Sequence, residues 1–374
     1  MKSIKNKIKN QISMVKLREA SKNIVPIVFA TDDNYAPFLV IAIHSMAQHL
    51  NKNNTYKVYV LQVNISEKHK EMINKYATDN LTIEFVDITK NLEAISKKLY
   101  LRDYYTNAIY YRVFIPNLFP QFNKAIYLDC DIVILDDIAK LYNHKLKDKV
   151  IGAIEEDVMA VMPTFGEYAE KMVGVNRYKY FNSGVMVMNL DKLRKNQTED
   201  KFINLLSQFR FIIAPDQDLF NALFKGKVLY IHRGWNKCPL KQNDFDDSTL
   251  KLAHYKMALK PWIRKGVLYE EHFWKYAKDT EVYNVMLNML SKTTDEDYKK
   301  DAVSLENLKA QAKKDSYDQN NYYNTLKKHQ IALGREIDPF YEVYDFSVPL
   351  ENMEDEEKCA LNISIEEEIK PISV

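Results

Sequence analysis

The sequence predicts an α/β fold: a Rossmann-like, mostly parallel sheet flanked by helices, followed by a helical extension. Three observations predict it. Short runs rich in Val, Ile, Tyr and Phe alternate with helix-patterned segments across the first ~260 residues, which is the signature of βαβ units. Asp32 and Asp129 fall at the carboxyl ends of two of these runs, where open α/β sheets bind their ligands. From Tyr269 onward the pattern turns helical and polar, rich in Lys, Asn and Tyr.

Residues 24–30 read as a strand that ends in Thr31-Asp32-Asp33-Asn34, a cluster suited to a turn and a helix cap. Residues 35–50 read as a helix, 56–63 as a strand, 66–76 as a helix capped by Ser66, and 81–86 as a strand. A helix near 105–118 leads into a strand at 125–128, and strands at 150–154 and 185–189 follow. Asp191 is the expected cap of a helix running to Phe209, and Pro215 opens another that ends near Leu223. This alternation implies right-handed crossovers. The chain divides into a basic leader (1–23), an α/β domain (24–268) and an extension (269–374) that carries an aromatic cluster at 340–346 and an acidic tail.

Composition excludes several classes. Hydrophobic residues make up 46% and charged residues 28%, as in ordinary globular proteins, and a net charge of +2 gives no electrostatic case for nucleic acid. Charge is uneven, however: residues 1–23 hold seven Lys/Arg against Glu19, and residues 351–370 hold eight Asp/Glu against Lys358 and Lys370. The leader alternates Lys with apolar residues, the pattern of a weak basic amphipathic helix able to touch a membrane peripherally, although a solvated leader is the favoured reading. Cys130, Cys238 and Cys359 are too scattered for a disulfide framework or a thiolate metal site. No apolar stretch approaches the roughly 20 residues of a membrane span, and the N-terminus lacks a signal-peptide core. These features predict a reducing, cytoplasmic setting. Eight glycines and no Gly-x-Gly argue against a glycine-loop dinucleotide site or a P-loop.

The most informative segment is Ala125-Ile-Tyr-Leu-Asp129-Cys-Asp131-Ile-Val-Ile-Leu135. Read as one strand, it projects both carboxylates from the same face, about 7 Å apart by strand rise. Carboxylates in an apolar run need neutralising, and a divalent cation that prefers oxygen ligands does this. Asp-x-Asp also occurs at 216/218, 244/246 and 295/297, so the tripeptide alone says little. The pairs at 244 and 295 sit among polar residues and read as solvated caps. Arg112 and Lys260 are candidates to hold phosphates beside such a cation, and His254 could complete a mixed nitrogen and oxygen set that suits Mn²⁺.

Five ordered segments carry a resemblance. They are Val28-Phe-Ala-Thr-Asp-Asp-Asn-Tyr35; Tyr111-Arg112; Tyr127-Leu-Asp-Cys-Asp131; Phe181-Asn-Ser-Gly-Val185 with Pro215-Asp-Gln-Asp218; and His254-Tyr255 with Lys260-Pro-Trp262. Together, over residues 24–285, they resemble glycosyltransferase family 8, the retaining GT-A hexosyltransferases that include bacterial lipopolysaccharide galactosyl- and glucosyltransferases. The resemblance implies a Mn²⁺-dependent enzyme, with Mg²⁺ as the substitute ion, taking UDP-galactose or UDP-glucose and a glycan or glycoconjugate acceptor. It implies that Ala30, Asp32, Asn34 and Tyr35 hold the nucleoside, that Arg112 and Lys260 contact the donor, and that Asp129, Asp131 and His254 bind the metal. Asn182 and Asp216 then bond donor-sugar hydroxyls, and Gln217 stands beside the anomeric carbon. An amide is a poor nucleophile, which favours a front-face route in which Gln217 and Asp218 stabilise positive charge, though the double displacement stays open.

One position departs from the family pattern: Met257 stands where a glycine is usual. It would push the loop outward and weaken donor binding, or leave the phosphate to Tyr255 and Lys256. Two rival readings follow. One is a catalytically weak scaffold subunit. The other is a phosphohydrolase of haloacid-dehalogenase type with Asp129 as nucleophile, disfavoured because about 100 residues and three strands precede the motif.

Overall fold

The computed structural model describes residues 24–93, 95 and 107–332. Strand β1 (Ile24–Thr31) leads through helix α1 (Ala36–Ala47) to β2 (Thr55–Gln62), and helix α2 (Glu67–Asn74) leads to β3 (Leu81–Asp87). Ser66 caps α2 as the sequence predicts, its side chain accepting from the His69 amide. Then come β4 (Lys124–Leu128), β5 (Ile132–Ile134), β6 (Ile151–Glu155) and β7 (Phe181–Asn189), helix α3 (Pro215–Phe224), and the short strands β8 (Val228–Tyr230) and β9 (Leu252–His254). The extension supplies α4 (Glu270–Ala277), α5 (Tyr283–Lys292), α6 (Asp295–Tyr317) and α7 (Tyr322–Ala332). The aromatic cluster at 340–346 and the acidic tail lie outside the described residues, as do the leader and Cys359.

Seven strands form the main sheet in the order β3-β2-β1-β4-β7-β6-β8. All run parallel except β7, which is antiparallel to both β4 and β6. Alternation along each strand feeds two cores. Ile27, Phe29, Ile126, Leu128, Val185 and Val187 bury on one face with α1 and α4, whereas Val28, Tyr127, Met186 and Met188 bury on the other. Helix α1 is apolar nearly all round, with 10 of its 12 residues buried, as befits a helix enclosed by sheet and neighbouring helices.

This topology fixes where the site must be. The chain builds β1, β2 and β3 outward on one side, then returns to place β4 on the other side of β1. That reversal opens a crevice beyond the carboxyl ends of β1 and β4, and Asp32 and Asp129 follow those ends directly. Because β7 runs the other way, its beginning, Phe181–Gly184, reaches the same rim. The Asp129 amide donates to the Gly184 carbonyl at 2.8 Å.

Several expected elements differ. Residues 125–135 are two strands: β4 belongs to the main sheet, while β5 pairs antiparallel with β9. Asp129 and Asp131 therefore sit in the bend between strands rather than within one. Among the described residues of the expected helix near 105–118 there are a 3₁₀ segment (Asn107–Phe114) and a single α-turn (Ile115–Leu118). Asn189, not Asp191, caps the following helix, which breaks into Leu190–Lys195 and Thr198–Gln208 around Gln197 in the left-handed region. Helix α6 packs back on the domain by burying Leu308, Ala312 and Ser316, and its capping box uses Thr294 with Asp297.

Candidate active site

The β5–β9 pairing sets the centre of the site by placing His254 opposite Ile132, beside Asp131. Asp129, Asp131 and His254 each offer one ligand atom, and these atoms lie within 4.8 Å of one another. The His254 Nε2 is 3.2 Å from Asp131 Oδ1 and 3.8 Å from Asp129 Oδ2. Gly184 makes this convergence sterically feasible. A Cβ there would collide with Asp129 Oδ2 and with His254 Cε1, so the residue between β4 and the imidazole must be glycine.

The protonation of His254 follows from a hydrogen-bond chain whose polarity is fixed at its root. The Gly184 N–H can only donate, and it reaches Asn182 Oδ1 at 2.9 Å, which sets the orientation of that amide. Asn236 Nδ2 donates to the same oxygen at 2.8 Å, while Asn182 Nδ2 donates to Glu156 Oε2 at 2.6 Å. Asn236 Oδ1 is thereby left as the acceptor facing His254 Nδ1 at 2.7 Å. The imidazole donates through Nδ1 and presents Nε2 toward two carboxylates. A bare nitrogen 3.2 Å from a carboxylate oxygen requires a proton or a cation between them. Two hard carboxylates and one imidazole fit Mn²⁺ or Mg²⁺ in donor chemistry.

Positive groups flank the carboxylates. Arg112 is buried in the 3₁₀ segment after β3. It donates to Asp129 Oδ1 at 3.0 Å, to the Ser183 carbonyl at 2.7 Å and to Ser183 Oγ at 3.0 Å, and its Nε is 3.3 Å from Asp216 Oδ2. Tyr127 adds its hydroxyl to Asp129 at 2.8 Å and its ring lies 4.4 Å below the guanidinium. Lys260 Nζ is 2.5 Å from Asp131 Oδ2. Burial alone would raise the Asp131 pKa, but Lys260 and His254 outweigh it and hold the carboxyl well below its usual range.

The first turn of α3 closes the far side. Gln217 Oε1 accepts from Asn182 Nδ2 at 3.0 Å and from the Ser183 amide at 2.9 Å. Asp216 accepts from Ser183 Oγ at 3.1 Å, and burial raises its pKa to about 6 against the opposing pull of Arg112. Asp218 differs from expectation. Its carboxyl turns into the core, is fully buried, and accepts from Tyr180 at 2.5 Å, Tyr168 at 2.8 Å and the Ala214 amide at 3.1 Å. Burial raises its pKa to about 7. It reaches Gln217 only through the shared Tyr180 hydroxyl, so its place is behind the site rather than at its surface.

The segment expected to hold a nucleoside borders the crevice. Asp32 Oδ1 accepts the Tyr35 amide at 3.0 Å, Asn34 is exposed, and the Ala30 carbonyl accepts from Cys130 Sγ at 3.3 Å. Lys260 lies 5.6 Å over the Tyr35 ring and joins this segment to the carboxylates. Met257 does not push its loop outward. It adopts the glycine-like backbone, φ +52°, with its side chain exposed, while the loop stays down on Asp131 through Lys260. Nor do its neighbours reach into the crevice: Tyr255 donates to the Tyr269 carbonyl, and Lys256 pairs with Glu156 at 2.5 Å. Glu156, Asn236 and Ser183 escaped the sequence reading. Ser183 lay inside a quoted segment, but nothing in the local sequence marks Glu156 or Asn236, because their partners come from other elements.

Comparison with known proteins agrees with this geometry. The sequence profile of glycosyl transferase family 8 matches residues 26–266. General stress protein A of Bacillus subtilis (strain 168) is 27% identical over 289 residues, spanning 71% of this chain and 98% of its own length. A lipopolysaccharide 1,2-glucosyltransferase of Escherichia coli is 26% identical over 249 residues, 62% of this chain and 71% of its own length. Among solved structures, the WbbM bifunctional glycosyltransferase superposes with a TM-score of 0.62 at 24% identity, over 72% of this chain and 52% of that one. The galactosyltransferase LgtC, solved with donor and acceptor sugar analogues, gives 0.58 at 24% identity over 74% of this chain and 100% of that one. These two share the GT-A type of fold with it. With its profile matched across the sheet, the bend at Asp129–Asp131 and His254, the chain belongs to glycosyl transferase family 8 and is a hexosyltransferase.

Proposed function

We propose that the protein is a retaining hexosyltransferase that moves galactose or glucose from a UDP-sugar to a glycan or glycoconjugate acceptor, in the manner of lipopolysaccharide biosynthesis, and depends on Mn²⁺. The observation that carries this reading is the convergence of Asp129, Asp131 and His254 at the sheet's reversal point, with Lys260 and Arg112 beside them. Asp129, Asp131 and His254 would hold the ion, which when bound neutralises the charge gathering on a departing diphosphate. Arg112 stiffens Asp129 and orients the donor. Lys260 contacts phosphate, Asn182 and Asp216 bond sugar hydroxyls, and Ala30, Asp32, Asn34 and Tyr35 seat the uridine.

The state of Gln217 supports a front-face route. Two donors already occupy its amide oxygen, from Asn182 and Ser183, so that oxygen has little lone-pair density left for a covalent glycosyl bond. It acts instead as a fixed dipole beside developing positive charge. Residues 24–268 form the catalytic domain and 269–374 an extension. The setting is cytoplasmic, with the leader giving at most weak peripheral membrane contact. No helix among the described residues is long and apolar enough to cross a membrane.

UDP release from a panel of UDP-sugars, with Mn²⁺ and with chelator, tests the reading. Release confined to UDP-galactose or UDP-glucose and lost on chelation is expected. Release that survives chelation removes the metal assignment, and failure to bind UDP at all removes the transferase reading in favour of a scaffold.

A further inference from the structure

The carboxylates of the central cluster are arranged alike. Each turns one oxygen toward His254 and gives the other to a protein cation: Asp129 to Arg112 at 3.0 Å, Asp131 to Lys260 at 2.5 Å. The two cations are held very differently. Arg112 is clamped by the Ser183 carbonyl and hydroxyl, the Ile109 carbonyl and Asp216 as well. Lys260 brings a single ammonium on a flexible stem to a turn beyond β9. Apart from Asp131, its ammonium hydrogen-bonds only the neutral Tyr35 hydroxyl and has the rings of Tyr35 and Trp262 as neighbours, 5.6 and 5.2 Å away. Lys260 is almost wholly buried, so the pair is shielded from solvent.

We propose that Lys260 is an exchangeable counter-cation. In the metal-free protein its ammonium holds Asp131; when the donor arrives it moves to the diphosphate and yields that oxygen to the divalent ion, so ion and nucleotide bind as one coupled event. This rests on the reading above that the site takes a divalent ion and a nucleoside diphosphate.

The physical case is a matter of charge balance. Asp129 and Asp131 face one another in a partly dry crevice, and an uncompensated carboxylate there is costly. The ammonium of Lys260 supplies the missing charge until the ion does. An ion entering alone must displace a charge-assisted hydrogen bond and leave a buried ammonium with only the neutral Tyr35 hydroxyl as partner, so it binds weakly. A diphosphate gives that ammonium a new partner of the same sign as the one it leaves. Coupling of this kind is reciprocal: each ligand strengthens the other by the same factor.

The test uses the full chain and calorimetry. Mn²⁺ binding is measured alone and with saturating UDP, for the wild type, Lys260→Met and Asp131→Asn. The exchange predicts that Lys260→Met binds Mn²⁺ alone at least about tenfold more tightly than the wild type, because no charged bond has to be displaced. With UDP present the same variant binds Mn²⁺ no more tightly than the wild type, and its Mn²⁺–UDP coupling falls by about the same factor. Simple relief of like-charge repulsion would tighten Mn²⁺ equally in both conditions, which overturns the exchange. Unchanged binding of Mn²⁺ alone overturns it too. The wild type carries an independent readout that no misfolded variant can confuse: Mn²⁺ and UDP that bind additively rule the exchange out. Absence of Mn²⁺ binding by the wild type, with and without UDP, instead defeats the metal reading itself and the exchange with it.

Discussion

The chain contains two Asp-x-Asp pairs that reach the crevice, and folding treats them in opposite ways. Asp129 and Asp131 lie in a bend between two strands that belong to different sheets. Arg112, Lys260 and His254 approach their carboxylates from three other elements. Asp216 and Asp218 lie in the first turn of α3, where helical geometry swings alternate residues to different sides of the axis. Asp216 meets Arg112 and Ser183 at the crevice, while Asp218 turns inward to two tyrosine hydroxyls. Cations hold the Asp131 pKa well below its usual range, whereas burial raises that of Asp216 to about 6 and that of Asp218 to about 7. Identical spacing therefore yields a cation cradle in one place and a structural acid in the other. The deciding factor is the local backbone and what surrounds it.

Replacing one member of the first pair should show the largest effect. Asp131→Asn keeps the side-chain shape but removes a full charge from the cluster. Loss of several kcal/mol of transition-state stabilisation corresponds to a fall in metal-dependent turnover of about a thousandfold, read by UDP release under saturating Mn²⁺. Turnover within a few-fold of wild type would sink the cradle. Arg112→Met attacks the contact that bridges both pairs. It leaves Asp129 and Asp216 facing each other without their buried cation, and breaking such a buried pair costs about 3–5 kcal/mol of folding stability. Urea unfolding in chelator measures this without interference from bound metal.

The second pair makes a contrary prediction about pH. Asp218 has a folded pKa of about 7 against an ordinary value of 3.8. A carboxyl whose pKa is raised by folding binds its proton more tightly in the native state. Its contribution is greatest below about pH 4 and is lost as pH rises through about 7, a change on the order of a few kcal/mol. Asp218→Asn removes that titration. Thermal unfolding of the wild type should lose stability between pH 4 and 7 relative to the variant, and parallel profiles would show that folding leaves the carboxyl at its ordinary pKa.

How far the sequence was legible follows from the same contrast. Strands β1 to β4 and helix α2 with its Ser66 cap were readable because their signals are local: β-branched runs, turn residues and capping chemistry. The ordered motifs placed Asp129, Asp131, His254, Arg112, Asn182, Asp216, Gln217 and Lys260 in one neighbourhood, and the structure brings them together. What failed was information held only in pairing. Strands β8 and β9 have three residues each, too few for a period to show, and are fixed by β6 and β5. The strand end at Leu128 was legible from the carboxylates that follow it, but nothing local shows that Ile132–Ile134 leave the main sheet to pair with β9. Asn236 and Glu156 look like ordinary loop residues until Asn182 and His254 arrive from elsewhere to meet them.

The smallest predicted effect concerns Met257, the one departure from the family pattern. Its φ of +52° is the conformation a glycine would adopt there without strain. A residue with a Cβ pays roughly 1–2 kcal/mol for this region, whereas glycine loses about 0.5–1 kcal/mol more conformational freedom on folding. The two terms oppose, so Met257→Gly should stabilise the protein by about 1 kcal/mol or less, measured as a modest shift in urea midpoint. The loop is already held down by Lys256 on Glu156 and Lys260 on Asp131, so the substitution has no displaced segment to rescue. UDP affinity in the presence of Mn²⁺ should accordingly stay within about threefold of wild type, less than 1 kcal/mol by the usual conversion. A tenfold gain in affinity would mean that the methionine side chain itself obstructs the nucleotide, and that this chain tolerates the departure only by weakening its hold on the donor.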